Sequence, residues 1–450
     1  MMDERQQLLC EMVEKSRQLI FEVEEHIWKH PETGFREWNT SAYLEEIMTD
    51  LGYDLIKPEG IPGFFTDLDT GRPGPRLLIM GELDALVCQM HAEATDGKAH
   101  ACGHHAQCAA LIGLAAALKE PGALDGLSGT IRLMAVPAEE LIEVEWRETL
   151  RQQGVIKYYG GKTEFMHRGY LDDVDLAFMI HTAIDDEVDF ACRTGTNGCL
   201  AKCVTYEGVA SHAGGSPHLG INALYAAQMG MQGINAIRET FRDDDHVRVH
   251  PIMTAGGQSV NIIPSHVKLE SFVRGASLET IAKANLKVNR ALAAGAVSLG
   301  ARVHIMDRPG YAPLQNDPGL MKVAQECMEA LVGPERVRFS NAWGTGSTDM
   351  GDVSCVMPAI HPYASGASGT SHGNDFRIKD RERACMNAAK AQLLMADRLL
   401  RDQAQSAKEV IEQAKPQYPS IRAYLDAIDA IACDRDAVIY QDDQTIDIRL

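Results

Sequence analysis

Between Ala99 and His105 the chain reads Ala-His-Ala-Cys-Gly-His-His, which sets Cys102, His104 and His105 within four residues. A cysteine two residues from a histidine can put both groups on one metal ion, because Gly103 adds no steric cost to a tight turn. A buried cysteine beside surface histidines would read the same way, so the stretch gains meaning only from its company. That company is Glu139 and Glu140, His181 and Asp84. Adjacent glutamates also suit a solvated turn, and a lone histidine is more often a satisfied core residue than a ligand. Beside other candidate ligands both preferences reverse. One carboxylate can bind metal while its neighbour, aimed differently, takes a proton from metal-activated water.

The elements that must hold these groups are short apolar strands. Arg76-Leu-Leu-Ile-Met80 precedes Asp84, Thr130-Ile-Arg-Leu-Met-Ala-Val136 precedes the glutamates, and Asp175-Leu-Ala-Phe-Met-Ile180 runs into His181. Cys102 and His104 immediately precede a nearly all-apolar stretch, His105 to Leu118, which suits a helix buried against a sheet. Strands alternating with helices predict a mainly parallel α/β sheet covered on both faces. Ligands in such sheets gather outside the carboxyl ends of the strands, where all of these groups fall.

The texture changes near Gly195. Strand-like Gly198–Glu207, a helix from Gly220 to about Phe241, alternating Ser265–Arg274, a helix over Leu278–Leu299 and a strand at Arg302–Met306 predict an inserted α+β domain. The expected organisation is a catalytic domain over 1–194 and 311–404, an insert over 195–310, and a polar extension over 405–450 with no assignable role. At 450 residues the chain is too long for one simple core. A formal charge of −20 argues against nucleic acid or an anionic membrane surface as partner. Eleven scattered cysteines, no signal-peptide pattern and no apolar run of the roughly 18 residues a membrane span needs point to a reducing, cytoplasmic setting.

Seven segments then resemble the metal-dependent amidohydrolase and aminoacylase metallopeptidase family. They are His30-Pro-Glu-Thr-Gly-Phe35, Glu82-Leu-Asp-Ala-Leu86, Ala101-Cys-Gly-His104, Pro137-Ala-Glu-Glu140, Ser211-His-Ala213, Val260-Asn-Ile-Ile-Pro264 and Gly346-Ser-Thr-Asp349. They stand in the family's order. Gly160-Gly-Lys-Thr163, Leu171-Asp-Asp-Val-Asp175 and Gly346-Ser-Thr-Asp-Met-Gly-Asp-Val-Ser354 are most similar to its p-aminobenzoyl-glutamate hydrolase branch, within reach of the indole-acetyl-amino-acid hydrolases.

The resemblance implies two divalent ions (Zn, Mn, Co or Ni) held by Cys102, His104, Glu140, His181 and His372, with Cys102 bridging. It implies Glu139 as general base and acid, and Asp84 as the residue that orients the metal site. In the inserted domain, ferredoxin-like by that resemblance and acting as lid and dimerisation surface, His212 is similar to a histidine that reaches across a dimer to polarise the carbonyl. Asn261 and Arg274 resemble groups that bind the substrate carboxylate, although Arg274 also reads as an outward strand residue. Two departures stand out: Glu82 where carboxypeptidase-type relatives carry a histidine ligand, and His105 in place of an aspartate, either an outer partner of the site or a helix cap. The expected activity is hydrolysis of the amide of an N-acyl or N-aroyl amino acid by a homodimer, or with a related second subunit. The alternative is a non-catalytic or regulatory subunit.

Overall fold

Helix α1 (Glu4–Lys15) begins on a capping box, in which Asp3 and Gln6 each accept the other's backbone N–H. Helix α2 (Arg17–Lys29) follows, burying Ile20, Val23 and Ile27. The computed structural model describes residues 2–442 and 445–450; Met1, Asp443 and Gln444, the last two inside the expected extension, lie outside them. Described residues form two compact units. The first holds the chain up to Gly195, Leu314–Trp343 and Asp349–Ile421; the second holds Thr196–Pro313, Gly344–Thr348 and the chain from Arg422 on.

In the first unit, strands β1 (Phe64–Asp69), β2 (Arg76–Glu82), β3 (Thr130–Val136) and β4 (Leu176–Phe178) join the strand Ala359–Ile360 in the order β1-β3-β2-β4-(359–360). β3 and β4 both run parallel to β2, Ala359–Ile360 runs parallel to β4, and β1 is an antiparallel edge on β3. Helix α3 (His104–Leu118) is buried at all fifteen positions, as its Ala, Leu, Ile and Gly content requires for a helix enclosed on every side. It packs on α2, on β2 and on the helix Asn387–Gln413. The strand predicted through His181 breaks at Met179. His181 instead opens a short strand, His181–Ala183, that pairs in parallel with Tyr363–Ser365.

The second unit is built on strands β5 (Gly198–Glu207), β6 (Ile252–Ala255), β7 (His266–Gly275) and β8 (Arg302–Tyr311), with α4 (Ala223–Ile237) and α5 (Leu278–Leu299) between them in the chain. β5 lies between β7 and β8, and both pairings are antiparallel. β7 alternates buried and half-buried residues as its sequence suggests. The polar extension is not a free tail. Helix Asn387–Gln413 keeps the first unit going past 404, and from Arg422 the chain rejoins the second unit. There β9 (Cys433–Tyr440) pairs with β8 and β10 (Ile446–Ile448) with β9. The run Asp434-Arg-Asp436 disguises β9 as a solvated segment, but its acids have partners: His304 of β8 lies 2.9 Å from both Asp434 and Asp436.

Helices α4 and α5 approach each other where both carry small residues. A Cβ on Gly295 would stand 2.5 Å from the Ala226 carbonyl oxygen and 2.8 Å from Gly230 Cα, so backbone and not a flexible side chain blocks it. Gly295→Val is expected to lower stability by about 3 kcal/mol, at the upper end of overpacking costs. Denaturant unfolding measures this, and an unchanged midpoint would refute the close crossing.

Candidate metal centre and active site

Gly103 turns the chain in a left-handed conformation (φ 94°) directly before α3, and a Cβ there would stand 2.7 Å from Thr182 Oγ1. This turn puts Cys102 and His104 on the same side. His104 Nδ1 donates to the Asp84 carbonyl at 2.8 Å and lies 3.2 Å from Asp84 Oδ1, so Nδ1 carries a proton and Nε2 is the ring atom left to bind a metal. His181 is set the same way, with Nδ1 donating to the Thr182 carbonyl at 2.8 Å and Nε2 lying 3.3 Å from Cys102 Sγ.

Glu139 and Glu140 leave the end of β3 through Ala138, which takes a left-handed φ of 59°. A non-glycine residue in that region is strained and persists only when its surroundings enforce it. Here Glu37 accepts the Ala138 N–H at 2.7 Å and Asp84 Oδ2 accepts the Glu140 N–H at 2.7 Å. Arg147, fully buried, donates to the carbonyls of Ala138, Glu140 and Tyr159. His372 is also left-handed (φ 60°); its N–H donates to the Ala101 carbonyl at 2.9 Å, and its Nε2 lies 3.3 Å from Glu140 Oε1.

Two groups of donors among the described residues share Cys102 Sγ. Cys102, His104 and His181 offer ligand atoms within 4.8 Å of one another, and so do Cys102, Glu140 and His372. His104 Nε2 and Glu140 Oε1 are buried without a hydrogen bond, which is costly for polar atoms unless a cation takes their lone pairs. The donor set fits two divalent ions. Burial pushes the Glu139 carboxyl well above its usual range, and Glu82 and Glu140 push it further. Glu82 responds oppositely. Burial alone would raise it, but the Lys162 ammonium beside it holds it well below the usual range.

Six residues around this centre went unread in the sequence: Glu37, Arg147, Lys162, Thr182, Asp349 and His361. His361 is buried with neither ring nitrogen hydrogen-bonded, its ring 5.5 Å from those of His181 and Tyr363; burial, then His181, pushes it down to about 3. Only Lys162 and Asp349 had a signal, since both sit in segments singled out by motif. His105 turns away from the donors, with Nε2 3.3 Å from Glu24 and its ring 5.0 Å from that of Trp28. It lies within the first turn of α3 and is not its cap.

His212, Asn261 and Arg274 belong to the second unit. Ala213 N–H donates to the Asn261 carbonyl and Ile263 N–H to the Ser211 carbonyl, both at 2.9 Å, which clamps the two motif loops together. His212 is exposed, and its Nδ1 accepts from Gly214 and Gly215 N–H at 3.1 and 2.8 Å, leaving Nε2 as a donor toward solvent. Arg274 on β7 is half-buried, 3.4 Å from Ser347 Oγ.

A family model described as Peptidase family M20/M25/M40 matches residues 78–398. Among curated relatives, one of the subunits of p-aminobenzoyl-glutamate hydrolase from Escherichia coli (strain K12) is 28% identical over 290 residues, 62% of this chain and 56% of that protein. The chain therefore spans less than two thirds of that relative's length. Xaa-Arg dipeptidase of Mus musculus is 28% identical over 372 residues, 79% of this chain and 78% of its own. Among solved structures, a Bacillus subtilis protein described as a dinuclear metal binding peptidase from the M20 family superposes with a TM-score of 0.64 at 20% identity. The match covers 86% of this chain and 99% of that one, and at that identity it shows the fold.

Arg147→Met is expected to cost about 3 kcal/mol, because it withdraws the donor shared by three carbonyls around a strained turn. A urea midpoint equal to that of the unaltered protein would mean that other contacts hold the Glu139–Glu140 turn.

Proposed function

The chain belongs to peptidase family M20/M25/M40, hydrolases of amide and peptide bonds, and on that footing we propose that it cleaves N-acyl or N-aroyl amino acids, or dipeptide-like substrates, to release a free amino acid. The observation that carries the reading is the double membership of Cys102 in both donor groups. Cys102, His104 and His181 would hold one divalent ion, and Cys102, Glu140 and His372 the other. Such ions supply the Lewis acidity that makes water a nucleophile at neutral pH and polarises a carbonyl.

Glu139 is the proton carrier in this scheme. Its raised affinity for a proton lets the carboxylate accept one from the attacking water and return it to the leaving nitrogen. Asp84 keeps His104 and Glu140 in place. His212, with Nε2–H turned outward, donates to the oxyanion, and the guanidinium of Arg274 with Asn261 binds the substrate carboxylate. The inserted ferredoxin-like domain serves as lid and as dimer surface. Tyr225 and Met229 on α4, Ile252 on β6 and Val260 and Ile262 beside His212 are exposed apolar groups of the kind that a second copy would cover. In that homodimer His212 acts on the partner's site.

The direct test loads the purified chain with Zn, Mn, Co or Ni and screens N-acyl amino acids, N-aroyl amino acids and dipeptides by mass spectrometry. Turnover of a carboxylate-bearing amide is expected; two bound ions with no turnover of any library member would sink the reading. Glu139→Gln should keep both ions and lose about two to four orders of magnitude in turnover.

The crossed-histidine arrangement has its own test. Inactive His212→Ala chains mixed with inactive Glu139→Gln chains should regain activity, because each mixed dimer contains one site free of both lesions. Tagged co-purification establishes that subunits exchange. Mixed dimers that stay at background would place His212 outside the partner's reaction.

A further inference from the structure

Three sequence segments set apart by motif, around Glu82, Lys162 and Asp349, meet in one buried cluster that neither donor group uses. Lys162 Nζ lies 2.5 Å from Glu82 Oε1 and also pairs with Asp349 Oδ1, while the Lys162 backbone N–H donates to Asp349 Oδ2 at 3.0 Å. Gln107 takes the other oxygen, donating to Glu82 Oε2 at 3.0 Å. The side chains of Glu82 and Lys162 are both 0% exposed. Ion clusters buried this fully are weak structural devices, because apolar residues of similar volume often stabilise a fold as well or better. Position gives this one a different meaning. Glu82 Oε2 lies 3.2 Å from His104 Nε2, and Glu82, His104 and Glu139 offer ligand atoms within 4.8 Å of one another. Glu82 is a carboxylate within reach of any ion that His104 holds.

We propose that Lys162 is a positioning residue that withholds Glu82 from the metal pair and so keeps the protein's contribution at the five ligands named above. The ammonium takes Glu82 Oε1 and offsets its charge, Asp349 anchors Lys162 through both side chain and backbone, and Gln107 occupies Oε2. A carboxylate added to the ion at His104 would lower its Lewis acidity and fill a position that water or substrate needs. This inference rests on the dinuclear reading of the site.

Cobalt(II) is the probe. Its visible d–d absorption weakens and moves to shorter wavelength as ligands are added, while thiolate-to-cobalt charge transfer reports Cys102 separately. The unaltered protein with two cobalt ions should show that charge-transfer band; its absence would overturn the dinuclear reading itself, and with it this inference. In Lys162→Met/Asp349→Asn the d–d band should weaken by about twofold and cobalt should leave more slowly to a chelator, since a further ligand changes the geometry. Adding Glu82→Gln to that variant should return the band to its original form. With the charge-transfer band present, an unchanged spectrum in Lys162→Met/Asp349→Asn overturns the inference alone. Glu82→Gln by itself leaves Lys162 paired one to one with Asp349, which keeps the question open to test if the other variants do not fold. It should bind two ions with an unaltered spectrum; loss of an ion or a shifted band would make Glu82 a ligand and overturn the inference.

Discussion

Buried negative charge is the constraint around which the first unit is arranged. Glu37, Glu82, Asp84, Glu139, Glu140 and Asp349 are all buried about the end of the parallel sheet, against the buried cations Lys162 and Arg147. Arg147 spends its donors on carbonyl oxygens, which leaves Lys162 as the ammonium engaged with carboxylates. Carboxylates gathered in a dry space raise one another's affinity for cations, protons included. A cluster of donors suited to divalent ions and a glutamate with a raised affinity for a proton are two outcomes of the same imbalance.

One residue distributes that charge in space. Asp84 receives the imidazole of His104 and the backbone N–H of Glu140, so the two donor groups are registered against each other through a single side chain and its own carbonyl. Its position follows from β2, which delivers it beside β3 at the end from which Glu140 leaves. The left-handed turns at Ala138 and His372 are tolerable because hydrogen bonds from distant segments close on them.

How much of this was legible in the sequence depended on where each residue finds its partner. Cys102, His104, Glu139, Glu140, His181 and Asp84 could be read because each stands next to an apolar run that announces a strand end or a buried helix. His372, His212, Asn261 and Arg274 lie in loops or on ordinary alternating strands, and only family resemblance picked them out. Arg147 and Glu37 gave no signal, because what they bind is backbone, and a carbonyl or N–H has no letter in a sequence. Glu82 was visible as a departure from a ligand pattern, but its meaning needed Lys162, eighty residues away. β9 was hidden for a related reason: its alternating charges read as a tail until His304 and Arg308 on β8 are seen opposite them.

The placement of β9 against β8 also dictates when the molecule can be finished. β8 ends at Tyr311, and its neighbour arrives only after the chain has gone back to complete the other sheet with Ala359–Ile360. The two units are interleaved along the polypeptide, so the second is still unfinished when a ribosome has made the last residue of the first. At equilibrium this costs little, since loop-closure entropy grows only with the logarithm of loop length. In time it costs more, because pairings between distant segments form slowly. Through the synthesis of more than a quarter of the chain the β8 edge stands open, a template for strands of other molecules until residues 433–440 arrive to cover it.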